Sequence, residues 1–219
     1  MQSIDTISLD GVIPEVFAAE GAEVAGDVWL SALTLHRGHT YCIEAGSGHG
    51  KTSLCAYLYG LRTDYRGRIC IGGRDAASLR VADWCGLRRR HIAYMPQGLD
   101  LFPELSALDN VMLKNRLTDF RSEAEIRADF DRLGLADRID RPAGRLSAGQ
   151  QQRVALIRAL CQPFDFLLLD EPASHLDPAN NRLAADMAAE RAAAQGAAVV
   201  ATSVGTPFAL AGDITILQL

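Results

Sequence analysis

The sequence predicts an α/β fold with a mainly parallel sheet and a helical subdomain inserted into it. Three observations predict this. Short apolar runs alternate with helical patterns along most of the chain. The run Phe166-Leu167-Leu168-Leu169 is apolar throughout, as a central strand covered on both faces should be. Between Gln97 and Cys161 the pattern turns helical, so the core is read as residues 1–97 and 160–219, enclosing a helical subdomain at about 98–159.

The elements follow in order. Strands are expected at Val28–Leu33, Thr40–Glu44, Arg68–Ile71 and His91–Met95, where β-branched and aromatic residues cluster between turn signals. Inside the helical stretch, Ser122-Glu123-Ala124-Glu125 has the spacing of a capping box, and so does Ser147-Ala148-Gly149-Gln150. After the apolar strand, Asp177-Pro178 supplies an N-cap followed by proline at the first helical position. The alanine-rich stretch Ala184–Ala194 carries Asp186, Glu190 and Arg191 and reads as an exposed helix. Strands at Ala197–Thr202 and Ile214–Leu217 complete the reading.

Composition sets bounds on function. A chain of 219 residues with 48% apolar and 22% charged residues suits one globular domain carrying an insertion. With 22 basic and 27 acidic side chains the formal charge is 22 − 27 = −5, which gives no general reason to bind nucleic acid. The dense basic run Arg88-Arg89-Arg90-His91 reads as a solvated helix end. Cys42, Cys55, Cys70, Cys85 and Cys161 are odd in number and form no C-x-x-C pair, so reduced thiols of a cytosolic protein are expected. No apolar run reaches the ~18 residues of a membrane span, and the first residues do not resemble a signal peptide.

The segment Ala45-Gly46-Ser47-Gly48-His49-Gly50-Lys51-Thr52-Ser53 fits a P-loop with alanine in place of the first glycine. Glycines let backbone N–H groups turn inward toward phosphate oxygens. The helix beginning near Lys51 aims its positive end at the same charge. Lys51 is expected to reach the β and γ phosphates of a nucleotide, and the Thr52 hydroxyl to ligate Mg²⁺. A plain glycine turn before a helix is the competing reading. Asp170 and Glu171 close the apolar strand at the edge where open α/β sheets bind ligands. Asp170 is expected to hold Mg²⁺ and Glu171 to act as general base toward water. A simple polar strand exit is the alternative, weakened by the P-loop upstream.

Leu146-Ser147-Ala148-Gly149-Gln150 resembles the signature L-S-G-G-Q of the ABC ATPases, with Ala148 for the commoner glycine. Pro96-Gln97 resembles the Q-loop and Ser174-His175-Leu176-Asp177 the D-loop, and the motifs stand in the family's order over nearly the whole chain. The resemblance implies a P-loop NTPase (RecA-like) core with a small N-terminal antiparallel β region. It implies an ATPase subunit, with ATP and Mg²⁺, energising a separate integral-membrane permease from the cytoplasmic face of the membrane. Two cassettes, in a homodimer or heterodimer, would sandwich ATP. Ser147, Ala148, Gly149 and Gln150 would meet ATP held by the partner, Asp177 would close the D-loop, and Gln97 would sense Mg²⁺ and the attacking water. Leu101–Val111 and Gly149–Arg153 look like the lipoprotein-release, macrolide-export and cell-division members.

Two positions depart from the family pattern. Ser203 stands where the family places a histidine toward the γ-phosphate, so hydrolysis is expected to be slowed, and an ATP-gated scaffold is the alternative function. The aromatic residue that stacks on adenine is poorly marked. Phe17 is the candidate by its distance upstream of the P-loop, whereas Trp29 and Tyr41 read as core or strand residues.

Overall fold

The computed structural model describes residues 3–20 and 26–219. An antiparallel sheet has the order β2-β1-β4-β5, formed by β1 (Thr6–Pro14), β2 (Ala32–His36), β4 (Tyr65–Ile71) and β5 (Arg74–Asp75). A parallel sheet has the order β6-β7-β8-β3-β9, formed by β3 (Thr40–Glu44), β6 (Ile92–Met95), β7 (Phe166–Leu169), β8 (Ala198–Ser203) and β9 (Ile214–Gln218). The helices are α1 (Glu15–Glu20), α2 (Lys51–Leu58), α3 (Val81–Arg90), α4 (Ala107–Asn115), α5 (Glu123–Arg132), α6 (Ala148–Leu160) and α7 (Pro178–Gln195).

β7 shows why the parallel sheet holds. Its side chains alternate between two apolar clusters. Leu167 and Leu169 pack with Phe130, Val154 and Met187, and Phe166 and Leu168 pack with Ile7, Ile43 and Tyr57. All four are fully buried, so this strand joins the helical layer to the antiparallel sheet. The apolar run in the sequence is the direct consequence of having two cores to fill.

Several expectations need correction. Val28–Leu33 is not a strand. Val28 and Trp29 are both buried, Leu30 takes φ +58, and extended pairing starts only at Ala32. A left-handed residue breaks the alternation that a strand requires. β1 is a strand of its own, visible in hindsight as buried Ile7 and Leu9 alternating with Ser8 and Asp10. The helical pattern does not begin at Gln97. Residues 96–106 run irregularly, with Leu99 and Asp100 at φ +60 and +48. The buried amide of Asn110 holds that stretch, accepting from Phe102 N at 2.7 Å and donating to Phe102 O and Ser106 O at 3.0 and 2.9 Å. The alanine-rich helix α7 is not simply exposed, because Ala184, Ala185, Met187, Ala188 and Ala192 are buried along one side. The basic run is likewise more than a solvated end. Arg88 donates to Tyr59 O and Gly60 O at 3.0 and 2.6 Å, and His91 is buried against Asp165 at 2.6 Å.

Both capping boxes form. Ser122 accepts from Glu125 N and Ser147 from Gln150 N, each at 3.3 Å, and the Glu125 and Gln150 side chains return to the cap N–H groups. The helical layer is tied to α7 by Arg191–Asp129 at 2.7 Å and by Arg132, which grips both oxygens of Glu190. All the cysteines are free thiols. Among the described residues no helix is long and apolar enough to cross a membrane.

Phe130 is the fully buried anchor of α5. Phe130→Ala should lower unfolding stability by about 3–5 kcal/mol in urea titrations, the usual cost of emptying an aromatic core site. A loss under about 1 kcal/mol would mean that α5 packs loosely.

Candidate functional site

The P-loop leaves β3 at the carboxyl edge of the parallel sheet. Its turn is built by Gly48 and Gly50, whose φ values of +84 and +95 disfavour a side chain. Ala45 lies outside that left-handed region, so its methyl group replaces the usual glycine without backbone strain. Lys51 opens α2 and is only 4% exposed. Its ammonium donates to Ala45 O and Gly46 O at 3.1 and 2.7 Å, folding the lysine back across the loop. His49 Nδ1 lies 3.1 Å from Ser47 O, and Ser53 Oγ accepts from Arg62 at 2.9 Å. These two contacts are local and stabilise the loop and its helix.

The acidic strand end meets the loop. Lys51 Nζ is 3.7 Å from Glu171 Oε1, Gln97 Nε2 donates to Glu171 Oε2 at 3.1 Å, and Thr52 Oγ1 donates to Gln97 Oε1 at 3.2 Å. Four predicted residues thus form one connected cluster. Glu171 carries φ +51, an unfavourable backbone state for a residue with a side chain. Its N–H donates to Thr202 Oγ1 at 3.0 Å and its carbonyl accepts from Gln152 Nε2 at 2.9 Å. Those two bonds hold the strained backbone, while Gln97 and Lys51 meet its carboxylate.

Asp170 is fully buried. Oδ1 accepts from Thr202 Oγ1 at 2.8 Å, while Oδ2 has no hydrogen-bond partner among the described residues. A buried carboxylate oxygen without a partner is costly unless a cation sits beside it. This oxygen, and the Thr52 hydroxyl and Gln97 carbonyl oxygen that are hydrogen-bonded to each other at 3.2 Å, are hard oxygen donors of the chemistry that magnesium takes. Burial first, and then the Asp170 charge, push the Cys55 thiol well above its usual range, so it stays protonated.

Ser203 does not join this cluster. Its hydroxyl lies 4.0 Å from Cys42 Sγ, and its carbonyl accepts from Ala45 N at 3.5 Å. The residue before it does the connecting. β8 lies between β7 and β3, and the Leu169↔Ala201 register brings Thr202 beside Asp170. Sequence reasoning missed Thr202 and Gln152. Alternation along β8 was the available signal for Thr202, whereas nothing local marks Gln152. Phe17 is half-buried with its ring against Gly50, 3.2 Å from where a Cβ would stand. Trp29 and Tyr41 are buried in the core, as expected.

The signature forms a separate recess. Ser147, Ala148 and Gly149 line a cavity of about 400 Å³ with Arg153, His175 and Asp177, and no P-loop residue takes part. Asp177 caps α7 through Asn180 N at 2.9 Å, and that N–H holds its carboxyl below the usual range. Gln150 is occupied in its capping box. Gln152 also joins this recess to the acidic cluster, donating to Ser174 Oγ at 3.1 Å and accepting from His175 N at 2.9 Å.

A glycine-rich anion loop facing two carboxylates at a parallel-sheet edge defines a nucleotide-binding protein of the P-loop class. The family profile described as ABC transporter matches residues 31–174. The macrolide export ATP-binding/permease protein MacB of Rhodopseudomonas palustris (strain BisB18) is 39% identical over 175 residues, 78% of this chain and 26% of that protein. The lipoprotein-releasing system ATP-binding protein LolD of Novosphingobium aromaticivorans is 38% identical over 151 residues, 67% of each chain. The phosphate-import ATP-binding protein PhnC of Mycolicibacterium smegmatis is 37% identical over 167 residues, 71% of this chain and 63% of that one. The dimeric structure of a bacterial ABC transporter cassette superposes with a TM-score of 0.76 at 24% identity, over 90% of this chain and 87% of that one. The chain belongs to the ABC transporter family. It spans about a quarter of the length of the MacB protein it matches.

Gly149 marks a close approach of the signature helix to the D-loop. A Cβ there would stand 2.6 Å from His175 O, a backbone atom. Gly149→Ala should therefore push the two apart and cost about 1–3 kcal/mol, read by urea unfolding. An unchanged midpoint would contradict this packing.

Proposed function

We propose that this chain is the ATP-binding and ATP-hydrolysing subunit of an ABC transporter, energising a separate membrane permease by pairing with a second cassette. In this reading residues 1–219 form a single ATP-binding domain, with the core at 1–97 and 160–219 around the helical subdomain. The observation that carries it is the convergence of Lys51, Gln97 and a strained Glu171 at the mouth of the P-loop.

The chemistry follows from those positions. Backbone N–H groups from Gly46 to Ser53 and the Lys51 ammonium hold the phosphates of ATP, and Phe17, whose ring lies against Gly50, is the residue proposed to stack on the base. Mg²⁺, held by Thr52, Asp170 and Gln97, would neutralise charge on the phosphate oxygens. Gln97 and the Glu171 carboxylate orient a water for in-line attack on the γ-phosphorus. The water's proton passes to Glu171 as the new P–O bond forms, and the bond to the ADP oxygen breaks, releasing ADP and phosphate. Ser203 supplies no positive charge to this step and its hydroxyl faces Cys42, so slow turnover belongs to the same proposal.

Two surfaces support the partners. The signature recess is separate from the P-loop, as a site completed by ATP on another cassette requires, whether that cassette is identical or different. A groove of about 320 Å³ beside the helical layer presents exposed Leu61, Phe102, Leu113 and Leu117, the surface for a segment of the permease. Docking there would hold the chain on the cytoplasmic face of the membrane. The relatives are named for export and import alike, which fits an ATPase module whose cargo is chosen by its permease. None of the relatives quoted is named as a scaffold, and Glu171 is intact.

The test is Mg²⁺-dependent ATP hydrolysis by the purified protein against Glu171→Gln. Loss of the general base should reduce turnover by about 100-fold or more. Equal rates in the two proteins would remove Glu171 from the mechanism and sink the proposal.

A further inference from the structure

We infer that Trp29 is a positioning residue for the phosphate loop, holding the His49–Gly50 peptide so that the Gly50 N–H faces the nucleotide phosphates. The inference rests on the nucleotide reading proposed above.

The Trp29 indole is 4% exposed, and its Nε1–H donates to His49 O at 3.1 Å. The ring edge comes within 3.1 Å of where a Cβ on Gly50 would stand, so it lies directly against the loop. No described peptide bond is cis. In a trans peptide the carbonyl and the following N–H point to opposite sides. Holding the His49 carbonyl on the Trp29 side therefore turns the Gly50 N–H to the other side, the one that phosphates would occupy.

The loop needs such a clamp. Gly50 at φ +95 permits the turn, but glycine also leaves the preceding peptide free to flip. A flipped peptide would aim a carbonyl oxygen at the phosphates and repel them. Trp29 is itself held rigidly. Leu30 N donates to Val12 O at 2.9 Å, Asp27 N donates to Gln218 O at 2.7 Å, and Asp27 Oδ2 accepts from Gln218 N at 2.8 Å. Tyr57 packs against the indole edge-on, with ring centroids 6.5 Å apart. The left-handed turn at Leu30 thus has a use, since it ends the run that delivers Trp29 under the loop.

The test uses a Trp84→Phe background, which leaves Trp29 as the single tryptophan. Replacing Trp29 there with benzothienylalanine, an isostere of tryptophan with sulfur for the N–H, deletes the donor and keeps the ring. MgATP and ADP should bind roughly fivefold more weakly, the ratio expected from one net hydrogen bond, with the thermal midpoint of the nucleotide-free protein lowered by no more than about 2–4 °C. Trp29 emission in the Trp84→Phe protein should change saturably with MgATP, at the midpoint given by calorimetry. Unchanged nucleotide affinity in the isostere, with normal binding by the Trp84→Phe protein, would overturn the role of Trp29 alone. Failure of the native chain to bind MgATP would overturn the nucleotide reading and this inference with it.

Discussion

A carboxylate at the end of an entirely apolar strand organises this molecule. Asp170 follows four buried residues and is itself fully buried, and one of its oxygens has no partner among the described residues. Taking a charge out of water is expensive, and the cost is offset only by specific neighbours. Thr202 satisfies one oxygen, and that requires β8 to lie next to β7 in a register that brings Thr202 level with Asp170. The β3–β8 pairing then brings the start of the P-loop to the same edge. The sheet order, the loop position and the buried charge are parts of one solution.

Glu171 extends the arrangement toward chemistry. Its left-handed backbone is held between Thr202 on the sheet and Gln152 on α6. Gln152 also holds Ser174 and His175, so the strained carboxylate, the D-loop and the signature helix share one buried amide. A shift of α6 is therefore felt at Glu171 through direct hydrogen bonds. That connects the signature region, which lies apart from the P-loop, to Glu171, the proposed general base.

Much of this was legible in the sequence because it depends on local rules. The capping boxes at Ser122 and Ser147, the Asp177 cap and the glycine spacing of the P-loop specify backbone geometry residue by residue. Phe166–Leu169 read as a central strand because burial on both faces leaves no polar position. What escaped depends on long-range packing. Val28 and Trp29 look like strand residues, but they are apolar because they fill the core beneath the P-loop. The exposed reading of α7 failed because alanine is compatible with solvent and with a tight helix-to-core contact alike. The family resemblance points to Ser203, and nothing in it marks its neighbour Thr202, which bonds Asp170 while the Ser203 hydroxyl turns toward Cys42. Gln152 sits in a run of three glutamines that only the fold distinguishes.

On the proposed function, the unpaired Asp170 oxygen would hold magnesium with the nucleotide. The most direct measurement is ATP affinity by calorimetry with and without Mg²⁺, for the native protein and for Asp170→Asn. Mg²⁺ should tighten ATP binding by the native chain and have little effect on the variant, while ATP without metal should bind both similarly. Native affinity indifferent to Mg²⁺, or a metal dependence that survives Asp170→Asn, would contradict it.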